Sequence, residues 1–343
     1  MTAPRLTREM LDDAVVDVFP VLDLGDYVRG VPGAREKLAV ALRDALENVG
    51  FFIVVNHGVA PEIVGGMFAW AEKFHAQPLE TKMRLAMGDN FVGYLPTNAY
   101  AIKTSDLNDN RKPELNEAFF LDRERSPDDP EVLAKKLFRE VNKWPDDLPG
   151  FRAFAIAYYQ RMEAFSKSLL PIFATALDLP PDWFDRAFEG AQATLRLSHY
   201  PPAGGDPEQF GISPHTDLNF LTVLPQSEVE GLYVRPAGKG WMKAPYLPGS
   251  FVINAGDACR RWTNDRFLST EHLAINPTRD RHRYAIPFFY APHSEFPIVC
   301  LESCCSEENP ARYPEITYAD IRLWFMRNNY QRTADQRMET VSP

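Results

Sequence analysis

The sequence predicts a mixed α/β fold in which a largely helical region precedes an all-β sandwich or barrel. In the first part of the chain, apolar residues recur at helical spacing, which is typical of amphipathic helices. From Thr194 onward, short runs of branched and aromatic residues alternate with Pro, Gly, Asn and Asp, a pattern typical of strands and turns. The 29 prolines are spread over the 343 residues, which favours many short segments over long helices or a linker.

The N-terminal quarter predicts the order strand, helix, strand, helix. Residues 18–24 alternate in polarity and are rich in branched side chains, as expected for an edge strand. Residues 34–49 repeat apolar positions at helical spacing and are followed by glycine, a common helix stop. Residues 51–55 form a continuous apolar run that indicates a buried strand, and residues 61–84 return to the helical period.

The remaining elements lead to the β-rich region. Residues 85–150 are weakly periodic and predict a loop-dominated connection with one strand near residues 116–121. Long apolar periodicity predicts a helix over residues 154–177, and a last helix is predicted over residues 318–331. The strands predicted between these two helices span residues 195–200, 220–224, 232–235, 251–254, 268–275 and 284–290. Residues 202–211 are interpreted as a surface loop.

Charge and cysteine content narrow the classes of function. Lys and Arg number 37 against 47 Asp and Glu, giving a formal net charge of −10 without a basic run. Nucleic acid and anionic membranes are therefore not expected as partners. Cys300, Cys304 and Cys305 lie too close together for a disulfide framework, and they are interpreted as reduced thiols. Since neither a secretory signal nor an apolar run of membrane-spanning length is readable, we expect a cytoplasmic protein.

His215 and Asp217 are the first candidates for chemistry. In extended backbone, residues two positions apart point to the same face, so this imidazole and carboxylate can share one ion. His272 lies within the predicted strand 268–275 and is the candidate for the third ligand. Two His and one carboxylate on one face of a metal are the ligand set of non-haem Fe(II) oxygenases. The same residues also fit polar groups in a turn and a hydrogen-bonded core histidine, and spacing alone does not decide.

Arg283 stands at the start of the apolar strand predicted at residues 284–290. An arginine in this place is suited to bind a carboxylate through two hydrogen bonds. A surface ion pair is the alternative that the position leaves open. The turn after residues 51–55 contains His57, which is interpreted as capping that turn.

Further motifs accompany these residues in order along nearly the whole chain. They include Pro20-Val-Leu-Asp-Leu24, Gly50-Phe-Phe-Ile-Val-Val-Asn-His-Gly58, Gly93-Tyr94, Trp144-Pro145, Asn254-Ala-Gly-Asp257, Ser269-Thr-Glu-His272, Arg283-Tyr-Ala-Ile-Pro287 and Asn309-Pro-Ala-Arg-Tyr-Pro314. With them, the sequence resembles the 2-oxoglutarate/Fe(II)-dependent dioxygenases of the isopenicillin N synthase-like group. The resemblance implies a double-stranded β-helix, or jelly roll, wrapped by N-terminal and C-terminal helices. It implies an N-terminal non-haem dioxygenase region, residues 1–150, and a jelly-roll domain with a C-terminal helix, residues 151–343, folded as one unit.

The resemblance also implies the cofactors and their ligands. The residues that it assigns to Fe(II) are His215, Asp217 and His272. Arg283 is assigned to the distal carboxylate of 2-oxoglutarate, Tyr200 matches a tyrosine that hydrogen-bonds this cosubstrate, and Ser198 falls where many members have Asn. The implied reaction uses O2 to hydroxylate, desaturate or cyclise a small organic metabolite, with release of succinate and CO2. It needs no catalytic residue beyond the metal centre, and ascorbate is expected to help in vitro.

One departure from the family pattern affects the cosubstrate. The family carries Arg-x-Ser, whereas this chain has Ala285 in the third position, so a hydroxyl that normally binds the carboxylate is missing. A water molecule or Tyr200 is a candidate replacement. The departure keeps open a second interpretation, an iron oxidase on the same fold that does not use 2-oxoglutarate. A non-catalytic module that binds small molecules is a third, which the complete set of metal ligands disfavours.

The sequence gives only a coarse view of the substrate. By analogy with the family, the pocket draws on the segment around residues 91–101 and on strand faces near Tyr233 and Phe289. Phe91, Tyr94, Tyr233 and Phe289 are therefore the candidate substrate-binding residues, and they favour an apolar or aromatic small molecule. The sequence carries no signal for the oligomeric state.

Overall fold

The computed structural model describes residues 19–88, 90–102, 112–202 and 209–329. Its helices are α1 (Gly25–Val28), α2 (Ala34–Asn48), α3 (Pro61–His75), α4 (Leu79–Met83), α5 (Pro130–Leu133), α6 (Phe151–Ala176), α7 (Asp257–Trp262) and α8 (Tyr318–Asn329). The strands before α6 are β1 (Val21–Asp23), β2 (Phe51–Val55), β3 (Gly93–Leu95) and β4 (Glu117–Asp122). Those after α6 are β5 (Gln192–Tyr200), β6 (Ile212–His215), β7 (Leu221–Pro225), β8 (Leu232–Arg235), β9 (Met242–Lys243), β10 (Phe251–Ala255), β11 (Glu271–Ala274), β12 (Arg283–Ala285), β13 (Phe288–Ala291), β14 (Pro297–Ile298) and β15 (Ile316–Thr317).

The larger sheet joins strands from both parts of the chain. It has nine strands in the order β1-β2-β10-β7-β13-β5-β4-β3, and β12 pairs with β5 beside β13. Only the β1–β2 pair of this sheet is parallel among the described residues. Since β1 to β4 precede residue 150 and the other strands follow it, the N-terminal region and the β-rich region share one hydrogen-bonded sheet.

A second, antiparallel sheet packs against the first. Its order is β6-β11-β8-β9. Ile53 and Val252 of the larger sheet pack in one apolar cluster with Val234 and Met242 of the smaller sheet. Two antiparallel sheets packed in this way form the double-stranded β-helix, so the predicted fold class is confirmed. A short third ladder joins β14 to β15.

Helices α2, α3 and α6 cover the outer face of the larger sheet. Strand β2 shows how the sequence encodes this layering, because its alternate side chains serve two cores. Phe52 and Val54 pack with the helices, whereas Phe51 and Ile53 face the smaller sheet. A strand buried on both faces reads as a continuous apolar run, which is the pattern seen in the sequence. Within the described residues, no helix is both long enough and apolar enough to cross a bilayer.

Two predicted elements are each broken by a proline. The helix expected over residues 61–84 is two helices, α3 and α4, because Pro78 takes an extended ψ of 144° between them. The strand expected over residues 284–290 is likewise two strands, β12 and β13. Pro287 separates them because it has no N–H for the ladder, and its carbonyl accepts instead from the Arg196 amide at 3.0 Å.

Other boundaries differ because tertiary contacts decide them. The strand expected from residue 268 begins at Glu271, because the preceding residues bond to the end of α2. The Leu268 amide donates to the Leu46 carbonyl at 2.9 Å, and the Thr270 hydroxyl donates to the Val49 carbonyl at 2.8 Å. Short strands β3 and β6 were not predicted. The loop predicted at residues 202–211 lies largely outside the described residues, and so do the last two residues of the helix predicted at 318–331.

Candidate active site

Two neighbouring strands of the smaller sheet bring His215 and His272 together. His215 ends β6 and His272 lies in β11, where the two are directly opposed in the antiparallel ladder. Their rings are 4.3 Å apart between centroids. Asp217, two residues after His215, places Oδ1 at 3.8 Å from Nε2 of His215 and at 3.7 Å from Nε2 of His272. The structure therefore brings together the three side chains that the sequence singled out.

Both imidazoles are oriented by their own backbone. Nδ1 of His215 lies 2.8 Å from the Ser213 carbonyl oxygen, and Nδ1 of His272 lies 3.1 Å from the Thr270 carbonyl oxygen. Because a carbonyl only accepts, each Nδ1 carries the proton and each Nε2 presents a lone pair toward Asp217. Burial, followed by the charge of His272, lowers the pKa of His215 to about 3, so this ligand is neutral at physiological pH.

The two oxygens of the Asp217 carboxylate have different partners. Its Oδ2 accepts hydrogen bonds from the Thr222 hydroxyl at 2.5 Å and from the Asn254 amide at 2.8 Å. Oδ1 is left facing the two histidine nitrogens. Burial by itself raises the pKa of Asp217, but the two histidines and the two hydrogen-bond donors outweigh burial and hold the pKa below its ordinary value. The aspartate is therefore ionised and presents one oxygen.

A glycine fixes the turn that carries this aspartate. The Asp257 amide donates to the Asp217 carbonyl at 2.7 Å, and the Gly256 amide donates to the Phe220 carbonyl at 3.2 Å. A Cβ on Gly256 would lie 2.3 Å from the Asn219 carbonyl oxygen and 2.8 Å from that of Asp217. Only glycine allows the backbone to approach so closely, which explains the glycine of the Asn254-Ala-Gly-Asp257 motif.

The donor set fits a divalent transition metal. The ligand atoms of His215, Asp217 and His272 all lie within 4.8 Å of one another. They supply two imidazole nitrogens and one carboxylate oxygen from a single side. These three residues would hold a metal as the facial triad that suits non-haem Fe(II), a ligand set that leaves coordination positions for other ligands.

Arg283 supplies a buried cation to a second, small pocket of the barrel. It lies in β12 directly opposite Tyr200 of β5, and its guanidinium carbon sits 4.6 Å from the centre of the Tyr200 ring. Its Nε donates to the Val229 carbonyl at 3.1 Å. Among the described residues, the buried Nη1 of Arg283 has no hydrogen-bond partner. A buried guanidinium with unused donors fits a carboxylate, and the alternative of a surface ion pair is wrong because Arg283 is only 4% exposed.

A cavity of about 110 Å³ opens onto His215 and Asp217. Phe91 and Phe289, two of the candidate substrate residues, line it. The sequence reasoning missed Arg196 and the residues that α8 contributes. The α8 residues in the wall are Tyr318, Arg322, Phe325 and Met326. Arg196 was detectable, since it lies two and four positions before Ser198 and Tyr200 on one face of β5, whereas nothing in the sequence places α8 over the cavity.

Two of the predicted substrate residues lie elsewhere, which corrects their assignment. Tyr94 is buried in the helical core, where its ring stands 6.1 Å from that of Phe74 and its hydroxyl bonds the Glu117 carboxylate. Tyr233 packs in a separate apolar cluster with Phe210 and Trp241. In each case the strand does run near the site, but alternation turns the side chain away from the cavity.

The remaining motifs have structural roles. Nδ1 of His57 accepts from the Val59 amide at 3.2 Å and its ring stacks on Phe251 at 3.8 Å, so its role in the turn is confirmed. The four cysteines are free thiols. A second cluster of possible ligands joins His75, Glu117 and His199. The Lys82 ammonium already lies 2.7 Å from Glu117 Oε2, so a cation compensates this carboxylate without a metal.

Two family models match this chain. The family model described as non-haem dioxygenase in morphine synthesis N-terminal matches residues 19–147, and that of the 2OG-Fe(II) oxygenase superfamily matches residues 191–292. The chain is 32% identical over 327 residues to the 2-oxoglutarate-Fe(II) type oxidoreductase hxnY of Emericella nidulans, with 93% of each chain covered.

Two solved structures share the fold over nearly their whole length. A 2OG-Fe(II) oxygenase family protein of Caulobacter crescentus has a TM-score of 0.78 at 28% identity, covering 90% of this chain and 98% of that one. JOX2, in complex with 2OG, Fe and JA, has a TM-score of 0.74 at 26% identity, covering 100% and 99%.

The chain belongs to the 2OG-Fe(II) oxygenase superfamily. It is an oxidoreductase that depends on Fe(II) and 2-oxoglutarate and oxidises a small organic molecule with release of succinate and CO2. The resemblance, the enzyme class and the cofactors predicted from the motifs are thereby confirmed, and the main interpretation is favoured over a 2-oxoglutarate-independent oxidase.

Proposed function

We propose that this oxygenase holds Fe(II) through His215, Asp217 and His272, binds 2-oxoglutarate on Arg283, and oxidises its substrate in the cavity lined by Phe91 and Phe289. The observation that carries the proposal is the convergence of the Nε2 lone pairs of both histidines on the single free oxygen of Asp217. When bound, iron with 2-oxoglutarate and O2 supplies an oxidant able to remove hydrogen from an unactivated C–H bond.

The chain's own contribution is to orient the three residues that would hold the metal. Thr222 and Asn254 hold Asp217 so that one oxygen faces the metal position. The backbone carbonyls of Ser213 and Thr270 fix the tautomers of the two histidines. Such outer contacts set ligand orientation and basicity. No side chain is needed as a general base.

Arg283 binds the distal carboxylate of 2-oxoglutarate and so orients the cosubstrate. Its charge lies in the apolar interior of the barrel, where Ala285 and Leu224 line the same small pocket. In this low-dielectric setting the electrostatic attraction between a carboxylate and the guanidinium is stronger than it would be at the surface. The Tyr200 ring stacks on the Arg283 guanidinium, with 4.6 Å between the guanidinium carbon and the ring centre. We assign Tyr200 to cosubstrate binding together with Arg283.

The cavity wall favours a particular class of substrate. Phe91, Phe120 and Phe289 supply aromatic surface, and Arg196 supplies a buried cation at the same wall. The Arg196 guanidinium donates to the Tyr100 hydroxyl at 2.9 Å and to the Asn116 side-chain oxygen at 2.8 Å, which holds the cation at the cavity wall. We propose a small aromatic or aliphatic molecule whose carboxylate or carbonyl lies toward Arg196.

A reducing compartment would keep the iron in the Fe(II) state and the cysteines as free thiols. All four cysteines are unbridged, and burial raises the pKa of the Cys259 thiol well above its ordinary value. We propose a cytoplasmic enzyme whose partner is its small-molecule substrate. The acidic net charge of −10 supports the expectation that nucleic acid and anionic membranes are not partners.

Succinate formation tests the proposed function. Purified enzyme with Fe(II), ascorbate and 2-oxoglutarate is supplied with small aromatic and aliphatic carboxylic acids, each beside its methyl ester. We expect acids to stimulate succinate release more than their esters, and we expect Asp217→Ala to abolish release. Asp182→Ala, at an exposed position outside the cavity lining, is the matched control and should keep full activity. Equal succinate release by wild type and Asp217→Ala would contradict the proposal.

A further inference from the structure

The cosubstrate pocket lacks the hydroxyl expected at position 285, but a hydroxyl faces the same space from the next strand. Ser198 of β5 is directly opposite Ala285 of β12, and Tyr200 is directly opposite Arg283. Directly opposed residues of an antiparallel pair point to the same face, with Cβ atoms about 4.5–5.5 Å apart. Ser198 and Ala285 therefore share the face that carries Arg283 and Tyr200.

The hydroxyl of Ser198 has no hydrogen-bond partner in the part of the chain that the structure describes. Ser198 is also 0% exposed, so water does not satisfy it from the surface. Buried hydroxyls are nearly always hydrogen-bonded, so an exception at a functional site marks a group available to a ligand or a bound water. The buried Nη1 of Arg283, on the same face of the β5–β12 pair, is also unpartnered, so two donors on this face lack an acceptor.

Small neighbours keep the space in front of this hydroxyl open. On the other side of β5, Ser198 is directly opposite Ala118 of β4. Thus the cross-strand neighbours of Ser198 on both flanking strands are alanines, whose methyl groups neither bond the hydroxyl nor cover it. Ala118, Ala285 and Tyr200 belong to one buried apolar cluster inside the barrel. A polar atom framed by alanines beside a buried guanidinium fits one end of an acidic ligand.

We propose that Ser198 donates the hydrogen bond to the distal carboxylate of 2-oxoglutarate that a serine at position 285 would otherwise provide. In this chain the hydroxyl stands on β5, directly opposite position 285 of β12, and Arg283 supplies the positive charge. The inference rests on the proposed function of Arg283, and it makes Ser198 a determinant of cosubstrate affinity. The departure at Ala285 is then compensated within this chain.

Calorimetric binding of 2-oxoglutarate to the Zn(II)-loaded protein tests the proposal without turnover. A hydrogen bond to a charged group contributes enough that Ser198→Ala is expected to raise Kd about 10- to 100-fold. The double variant Ser198→Ala/Ala285→Ser is expected to recover binding to within about threefold of wild type, since it returns a hydroxyl to the opposite rung. Ser166→Ala, at a buried serine that bonds only its own helix, is the matched control and should leave Kd unchanged.

A shortened ligand identifies the carboxylate. 2-Oxobutanoate keeps the 2-oxo acid group but lacks the distal carboxylate, so wild type and Ser198→Ala are expected to bind it equally. Unchanged binding of 2-oxoglutarate by Ser198→Ala would overturn the proposal, and so would a loss that Ala285→Ser does not recover. An equal loss for both ligands would also overturn it. If wild type itself binds no 2-oxoglutarate, the proposed function fails and not merely the role of Ser198.

Discussion

At the scale of the residue, the two oxygens of Asp217 have separate partners. Oδ2 is held by Thr222 and Asn254, and Oδ1 is directed at the two histidines. The sequence could predict the ligand residues, because His-x-Asp in extended backbone places both side chains on one face. It could not predict Thr222 or Asn254 as their supports, since a threonine and an asparagine in apolar strands carry no pattern that identifies their partner.

Removing the hydroxyl of Thr222 tests this division. Thr222→Val keeps the shape of the side chain but frees Oδ2, so the carboxylate is expected to rotate and metal affinity to fall about 10- to 100-fold. Competition between the protein and a chelator for Fe(II) under anaerobic conditions measures the affinity. Thr222→Ser retains the hydroxyl and should bind like wild type. Equal affinity of Thr222→Val and wild type would show that Asn254 alone fixes the carboxylate.

The close approach at Gly256 gives a second prediction at this scale. In Gly256→Ala the new methyl would meet two backbone carbonyls of the Asp217 turn at 2.3 and 2.8 Å. Backbone cannot yield as a flexible side chain does, so we expect lower thermal stability and weaker metal binding together. Gly240→Ala, where a Cβ meets nothing within 4 Å, is the control. A Gly256→Ala protein with wild-type metal affinity would contradict the role of this turn.

At the scale of the element, an internal ion pair joins α3 and α4 to the barrel. Lys82 of α4 donates to Glu117 of β4 at 2.7 Å and to the His75 carbonyl at 3.0 Å. His199 of β5 places Nδ1 at 2.7 Å from the same carboxylate. The Tyr94 hydroxyl of β3 bonds this carboxylate as well, so five elements meet at one buried charge. Lys82 lies in the short helix that follows the break at Pro78, and this break is not visible in the apolar periodicity.

Breaking this pair on one side should destabilise the protein strongly. Lys82→Met leaves Glu117 ionised and buried without its cation, and this is expected to cost about 3–5 kcal/mol. Lys82→Met/Glu117→Gln removes both charges and should lie much closer to wild type. Urea unfolding measures the difference. The exposed pair of Arg29 and Asp26 provides the control, because Arg29→Met should cost less than about 1 kcal/mol.

The same carboxylate predicts a pH dependence. Burial opposes ionisation of Glu117, but hydrogen bonds from His199, His75 and Lys82 outweigh it and hold its pKa well below the ordinary 4.5. A lowered folded-state pKa contributes stability above the unfolded pKa, and this contribution is lost as the pH falls below about 4.5. We therefore expect the free energy of unfolding of wild type to fall more steeply below that pH than that of Lys82→Met/Glu117→Gln. Parallel curves from urea titrations at successive pH values would contradict this role of Glu117.

At the scale of the whole molecule, the N-terminal region and the jelly roll are parts of one sheet. β2 pairs with β10, and β4 pairs with β5 over six residue positions. The motif order along the chain allowed a single unit to be predicted. The pairing of β2 with β10 could not be read from sequence, because strand partners far apart in the chain are set by the closure of the sheet and not by local pattern.

This shared sheet predicts one cooperative unfolding transition for residues 1–150 and 151–343. Scanning calorimetry of the full chain should show a single peak whose calorimetric and van't Hoff enthalpies agree. Separate strands of one hydrogen-bonded sheet cannot unfold independently without exposing the cores on both faces. Two resolved peaks would show that the regions are independent domains.

The central claim is that the iron triad and Arg283 together hold 2-oxoglutarate, and anaerobic titration of the Fe(II)-loaded protein tests it most directly. Chelation of iron by the 2-oxo acid group produces a metal-to-ligand charge-transfer band in visible absorption. We expect wild type to develop this band, and Arg283→Leu to require at least about 30-fold more 2-oxoglutarate, because truncating one partner of a buried charge pair costs about 2–5 kcal/mol. No band from wild type at saturating 2-oxoglutarate, or an identical titration for Arg283→Leu, would contradict the claim.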